Sequence, residues 1–193
     1  MTYFEYAAVY FGIIVGLALA NILTSFHKLV EAGARVRWGW LAPASALYAA
    51  TLTLGEFWSV WVRQNDMGHR IFFTWLPLAS AFALLFLMCA ASLPDEAGEG
   101  VDLRRFYVDN RRRFWGFSLA LHVLNLCSWT ITFLEQGFDA RYMHVHLQPV
   151  LGNAVEAALS LSLIFVRTAW WHVLILAAIW AYALFYFGPL PLG

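Results

Sequence analysis

From Ile71 to Leu93 the chain carries no Asp, Glu, Lys, Arg or His. A run that apolar is unsuited to a solvated loop, and about 20 such residues in a helix match the hydrocarbon core of a bilayer. Six segments of this kind can be read, at about residues 4–27, 40–62, 71–93, 114–134, 149–166 and 170–187. The composition agrees, with 62% hydrophobic and 12% charged residues, against about 25% charged in soluble domains. The expected fold is all-α, a polytopic transmembrane helical bundle of six spans forming one integral-membrane domain over 1–193.

The opening Met-Thr-Tyr-Phe-Glu-Tyr lacks a positive stretch, and the first cation is Lys28. The first apolar run is therefore expected to stay as a span and not to be cleaved as a signal peptide. Lys28, Arg35, Arg37, Arg104, Arg105, Arg111, Arg112, Arg113 and Arg167 fall in loops on one side, and Arg63, Arg70 and Arg141 on the other. The positive-inside rule then puts both termini outside, with three cytoplasmic loops. Trp38, Trp40, Trp58, Trp61, Trp75, Trp115, Trp170 and Trp171 lie near span ends, where amphipathic rings favour the headgroup level.

The longest loop, 94–113, starts acidic and ends basic. Leu103, Phe106, Tyr107 and Asn110 share a helical face behind Asp102 as N-cap, so a short amphipathic helix on the cytoplasmic surface is expected. Its lipid-facing arginines, Arg104, Arg105, Arg111, Arg112 and Arg113, are expected to fix topology, the alternative being that they meet anionic headgroups. The opening "YFEYAAVYFGIIVGLALANIL" and the basic "DLRRFYVDNRRRFWG" resemble an uncharacterised family of small multi-pass bacterial inner-membrane proteins. That resemblance implies a bacterial membrane protein and brings no activity or catalytic residues with it.

Two packing features stand out. Ala8, Gly12, Gly16, Ala20 and Thr24 make a small-residue stripe at fourfold spacing, suited to close helix approach within the chain or across a homo-oligomer, a dimer being favoured. The third segment, free of charge, is expected to face lipid over much of its surface, with Pro77 releasing the Phe73 carbonyl.

Polar residues inside the spans mark the candidate site. Asn153, Glu156 and Ser160 fall on one helical face of the fifth segment. Ser118, His122, Asn125, Trp129 and Thr132 follow the three-and-four spacing of a packed seam in the fourth. Ser45, Glu56 and Ser59 add a similar line in the second. At ~1.5 Å per residue, Glu56 and Glu156 come out roughly 10 Å below the outer surface, with His122 near mid-membrane. An ionised carboxylate there costs about 2.5–3.5 kcal/mol on insertion scales, so these groups are expected to meet in one intramembrane cluster of Glu56, His122, Asn125, Asn153, Glu156 and Ser160.

Other chemistry is weaker in the sequence. His144 and His146 would share a face of an extended outer segment, and His69, with Asp66, Glu135 and Asp139, would complete a metal site. A haem would need facing histidines, and His27 with His172, or the deep His122, are the available ones. No cofactor is predicted from either pattern. Cys89 and Cys127 sit in apolar runs as small hydrophobes. No phosphate loop, nucleophile elbow or metalloprotease motif occurs, and a net charge of zero gives no reason to expect nucleic acid.

The functional expectation is an outward-facing polar cavity serving permeation or transport of a proton, cation or small polar solute. The alternative is a non-catalytic binding, sensing or assembly subunit in the lipid bilayer. A periplasm-facing metal or haem redox protein comes third, and no catalytic residue is assigned.

Overall fold

The computed structural model describes residues 3–62, 71–95, 100–136 and 143–187. Among them are six α-helices and no strand: α1 (Tyr3–Ala32), α2 (Leu41–Val62), α3 (Ile71–Ser92), α4 (Leu103–Gln136), α5 (Met143–Phe165) and α6 (Ala169–Phe187). Four stretches are long and apolar enough to cross a membrane, Ala8–Arg35, Trp75–Ser92, Leu103–Ile131 and Leu147–Phe165. α6 contributes a shorter apolar stretch, Ala169–Ala181, and α2 is not among the four.

α4 is the spine, packing against α2, α3 and, most extensively, α5. α3 packs against α1, α2 and α4. Ala81, Phe82, Leu85, Met88, Cys89 and Ala91 are buried there, which corrects the expectation of a lipid-facing helix. An uncharged helix suits a position between three neighbours as well as it suits lipid, and apolarity alone does not separate the two.

α1 buries Phe11, Val15, Ala18, Ile22, Ser25 and Leu29, a three-and-four repeat that is not its small-residue stripe. Phe11 stacks on Phe82 at 4.5 Å and on Trp75 at 5.6 Å between ring centroids. Of the two glycines on the stripe, Gly12 approaches a neighbour, since a Cβ there would lie 3.9 Å from the Phe57 ring. Gly16 faces open space, and Ala20 is exposed. Bulky rings gain more contact here than close backbone approach does, so the stripe is left largely on the outside.

The basic end departs most from the sequence reading. The segment expected as a separate surface helix in loop 94–113 is instead the first turns of α4, which runs for 34 residues without a break. Asp102 caps it as expected, its Oδ1 accepting from the backbone N–H of Arg104 at 2.9 Å and Arg105 at 3.0 Å. The linker after α1, a 3-10 turn at Gly33–Arg35 followed by Arg37, is tied to this start. Arg37 N–H donates to Val101 O at 2.8 Å, and Leu103 N–H donates back to Arg37 O at 3.1 Å. Gly39 is obligatory in this joint, because a Cβ would lie 2.8 Å from the backbone nitrogen of Arg104. Lys28 Nζ donates to Asp95 O at 2.9 Å, and the Asn110 amide donates to Ala91 O.

Extending α4 downward changes two further assignments. Arg104, Arg105, Arg112 and Arg113 are exposed, whereas Arg111 is buried, so the five arginines do not form one lipid-facing set. Trp115 is fully buried and is not an interfacial anchor, while Trp38, Trp40, Trp58 and Trp170 are exposed. At the other end of the chain, α5 and α6 are separated only by Val166, Arg167 and Thr168, and α6 starts with Trp171 N–H bonded to Thr168 O at 3.1 Å.

Candidate functional site

His122 lies on the buried face of α4 and Glu156 on the facing side of α5, with Nε2 and Oε2 2.8 Å apart. The side chains are 4% and 15% exposed, so water competes little for the contact. The other ring nitrogen, Nδ1, is 3.2 Å from Asn153 Oδ1. Asn153 Nδ2 donates to Pro149 O at 2.8 Å, which leaves Oδ1 as the atom turned to the ring. An amide oxygen only accepts, so Nδ1 carries a hydrogen. One more proton is then shared between Nε2 and the carboxylate, as imidazolium with carboxylate or as imidazole with carboxylic acid. The Tyr48 hydroxyl of α2 stands 3.4 Å from the same Nε2.

A second acid, Glu56 of α2, meets α4 one turn along from His122. Asn125 Nδ2 donates to Glu56 Oε1 at 2.8 Å, and the Ser59 hydroxyl lies 3.4 Å from Oε2 of the same carboxylate. Both Glu56 and Asn125 are half-buried. In the opposite direction, the buried hydroxyls of Ser118 and Ser160 are 3.0 Å apart across the α4–α5 contact. All six members of the expected cluster therefore lie along one line between α2, α4 and α5. They are joined as three hydrogen-bonded groups and not as a single pocket. Ser45 is not with them; its hydroxyl donates to Ala42 O near the basic end.

A further polar line continues toward the basic end. Trp115 Nε1–H donates to the Tyr107 hydroxyl at 3.0 Å, Tyr107 is 2.7 Å from His172 Nδ1, and His172 Nε2 is 2.8 Å from Val166 O. Its direction is set by chemistry: the indole only donates and the carbonyl only accepts. With a neutral imidazole, Nε2 carries the hydrogen given to Val166 O and Tyr107 donates to Nδ1. Trp115 also stacks on Tyr48, with centroids 5.8 Å apart, so the two lines touch through an aromatic contact.

Tyr48, Tyr107, Trp115 and His172 were not expected in this array. The signal was present, since Tyr107, Arg111, Trp115, Ser118, His122 and Asn125 keep the three-and-four spacing down α4. It was hidden because the short helix expected in 94–113 reads as separate from the fourth span. Trp129 is half-buried, and the side chain of Thr132 lies outside the described ones.

The metal reading loses its geometry in part. His144 and His146 fall in the first turn of α5, where the backbone is helical and not extended. His69, Asp66 and Asp139 lie outside the described residues, as do the side chains of His144, His146 and Glu135. Among the described residues no three His, Cys, Asp or Glu side chains are grouped to hold a metal ion. For the haem pairing of His27 with His172, the structure gives each ring its own partners. His27 is exposed beside Glu31 at 3.4 Å, and His172 is held by Tyr107 and Val166. Cys89 is buried and Cys127 is exposed, both as free thiols.

No protein-family model, no curated protein and no solved structure matches this chain. The resemblance noted in the sequence accordingly adds nothing to the site, whose reading rests on geometry alone.

Proposed function

We propose that the chain is a six-span bacterial inner-membrane protein, with both termini periplasmic, that passes a proton across part of the bilayer through its His122–Glu156 pair. The carrying observation is the 2.8 Å contact between two protonatable groups on different helices, with the second ring nitrogen fixed by Asn153. A histidine–carboxylate pair is able to gain or release a proton with little movement of heavy atoms. Glu56, a turn further along with Asn125, gives the proton a second carboxylate toward the outer side. Ionisable groups are costly inside a membrane, and such groups generally mark ion and proton pathways. The test is proton flux in proteoliposomes under an imposed pH gradient. Glu156→Gln is expected to abolish flux in the variant, and equal flux in variant and wild type overturns the reading.

The second reading is a non-catalytic membrane binding or assembly subunit. It is favoured by the pairing of each cluster member with a neighbour, as expected of a seam that specifies packing. Under it, substitutions of Glu56 and Glu156 change oligomer stability and leave proton flux untouched.

A further inference from the structure

Two buried polar lines run through the core, and one side chain stands between them. The outer line holds His122 and Glu156, with the Tyr48 hydroxyl 3.4 Å from His122 Nε2 and the Ser118–Ser160 pair on the same α4–α5 seam. The second line, nearer the basic end, runs from Tyr107 to His172 Nδ1 at 2.7 Å and from His172 Nε2 to Val166 O at 2.8 Å. Trp115 separates them. It is fully buried, its ring stacks on Tyr48 with centroids 5.8 Å apart, and its Nε1 is 3.0 Å from the Tyr107 hydroxyl. Among the described residues no hydrogen bond crosses from Tyr48, Ser118 or Ser160 to Tyr107.

A proton travels along a hydrogen-bonded line only where each group takes one proton and gives up another. A tyrosine hydroxyl does both, and so does an imidazole. An indole N–H only donates. Trp115 therefore ends the outer line, and its N–H also occupies a lone pair of the Tyr107 oxygen, the atom at which an arriving proton would bind. Past that block the second line is set to receive. With His172 neutral, Tyr107 gives its hydroxyl proton to Nδ1 while its oxygen takes the incoming one, and the imidazolium then releases its Nε2 proton on the Val166 side. Val166 opens the α5–α6 linker, where Arg167 and Thr168 are exposed. The positive Arg111 acts on the same imidazole, so charge repulsion favours onward release over storage. The pair loses the proton that His172 gains, and no bond between heavy atoms changes. We propose that His172, reached through Tyr107, accepts protons leaving the His122–Glu156 pair toward the basic end, and that the Trp115 indole is the barrier between them. This inference rests on the proton-passing reading of that pair.

The test measures proton flux with the full chain in proteoliposomes under an imposed pH gradient, with thermal unfolding in detergent as the check on folding. Trp115→His puts a group that both accepts and donates where the indole only donates, whereas Trp115→Phe keeps a ring that does neither. Flux in Trp115→His is expected to exceed that in Trp115→Phe by at least about tenfold. Equal flux in the two overturns the barrier. The added flux is expected to vanish when Glu156→Gln or His172→Gln is combined with Trp115→His. Added flux that persists is a leak around the line and overturns the proposal. Should the Trp115 variants fail to fold, His172→Gln tests the acceptor with the indole in place. Its amide offers an acceptor and a donor but holds no extra proton, and flux is expected to fall at least about tenfold. Wild-type flux in His172→Gln, with flux still abolished in Glu156→Gln, overturns the acceptor alone. Wild-type flux in both variants overturns the reading of the pair as well.

Discussion

The Nε2 of His122 and the Oε2 of Glu156 stand 2.8 Å apart across the α4–α5 contact, with Asn153 held against the opposite edge of the ring. Removing one partner leaves the other buried and unmatched. His122→Leu is expected to destabilise the bundle by about 3–5 kcal/mol, and Glu156→Leu by a similar amount. The double variant should recover much of either loss, since a buried pair replaced by apolar groups of like volume is often neutral. A double-mutant cycle on reversible unfolding in micelles measures the coupling, and simple additivity of the two losses would argue against a paired site.

Tyr107 both accepts from Trp115 and donates to His172. Tyr107→Phe keeps the ring and strands a buried indole N–H together with a buried imidazole nitrogen. The expected cost is about 1–3 kcal/mol for each stranded group, read as a drop in unfolding free energy. A change within error would show that the line is not formed in solution.

Gly39 packs its α-carbon against the backbone of Arg104, with 2.8 Å left for any Cβ. Gly39→Ala must push the linker off the start of α4, at a cost of about 1–3 kcal/mol typical of overpacking. Gly33, with φ of 52°, has open space around it, so Gly33→Ala is expected to cost only about 1–2 kcal/mol from backbone strain. Thermal unfolding of the two variants should rank them in that order.

A Cβ added at Gly16 would meet nothing within 4 Å. Gly16→Ile should therefore leave the stability of a single copy within about 0.5 kcal/mol of wild type. A homo-oligomer that used the Ala8–Gly12–Gly16–Ala20 stripe would lose association in the same variant, and sedimentation in detergent separates the two effects.

Helix content was the most readable layer. The runs at 40–62 and 71–93 coincide with α2 and α3 to within a residue, because bilayer-like apolarity and helix formation coincide there. They part company at α4, where apolarity stops at Arg113 but the helix goes on to its cap at Asp102. Hydropathy reports the solvent a segment prefers, whereas the backbone responds to capping and spacing. The same gap hid the neighbours of Trp115 and set Arg111 with its exposed neighbours.

The polar residues of α2, α4 and α5 were legible because each repeats at helical spacing, and helices pack along such faces. Which atoms pair was not legible. That Asn125 serves Glu56 while Asn153 serves His122 depends on relative helix heights, which no single-helix pattern encodes. Tyr48 was missed for a related reason: its role appears only once α2 is set against α4.

The continuity of α4 has a mechanical consequence. Arg111 and His122 sit on one unbroken rod, separated by about 16 Å at ~1.5 Å per residue. A tug that tilts or slides the basic end must carry the imbedded imidazole with it, because a stiff helix has no joint at which to absorb the displacement. Displacement of the basic end is thereby geared to the spacing between His122 and Glu156.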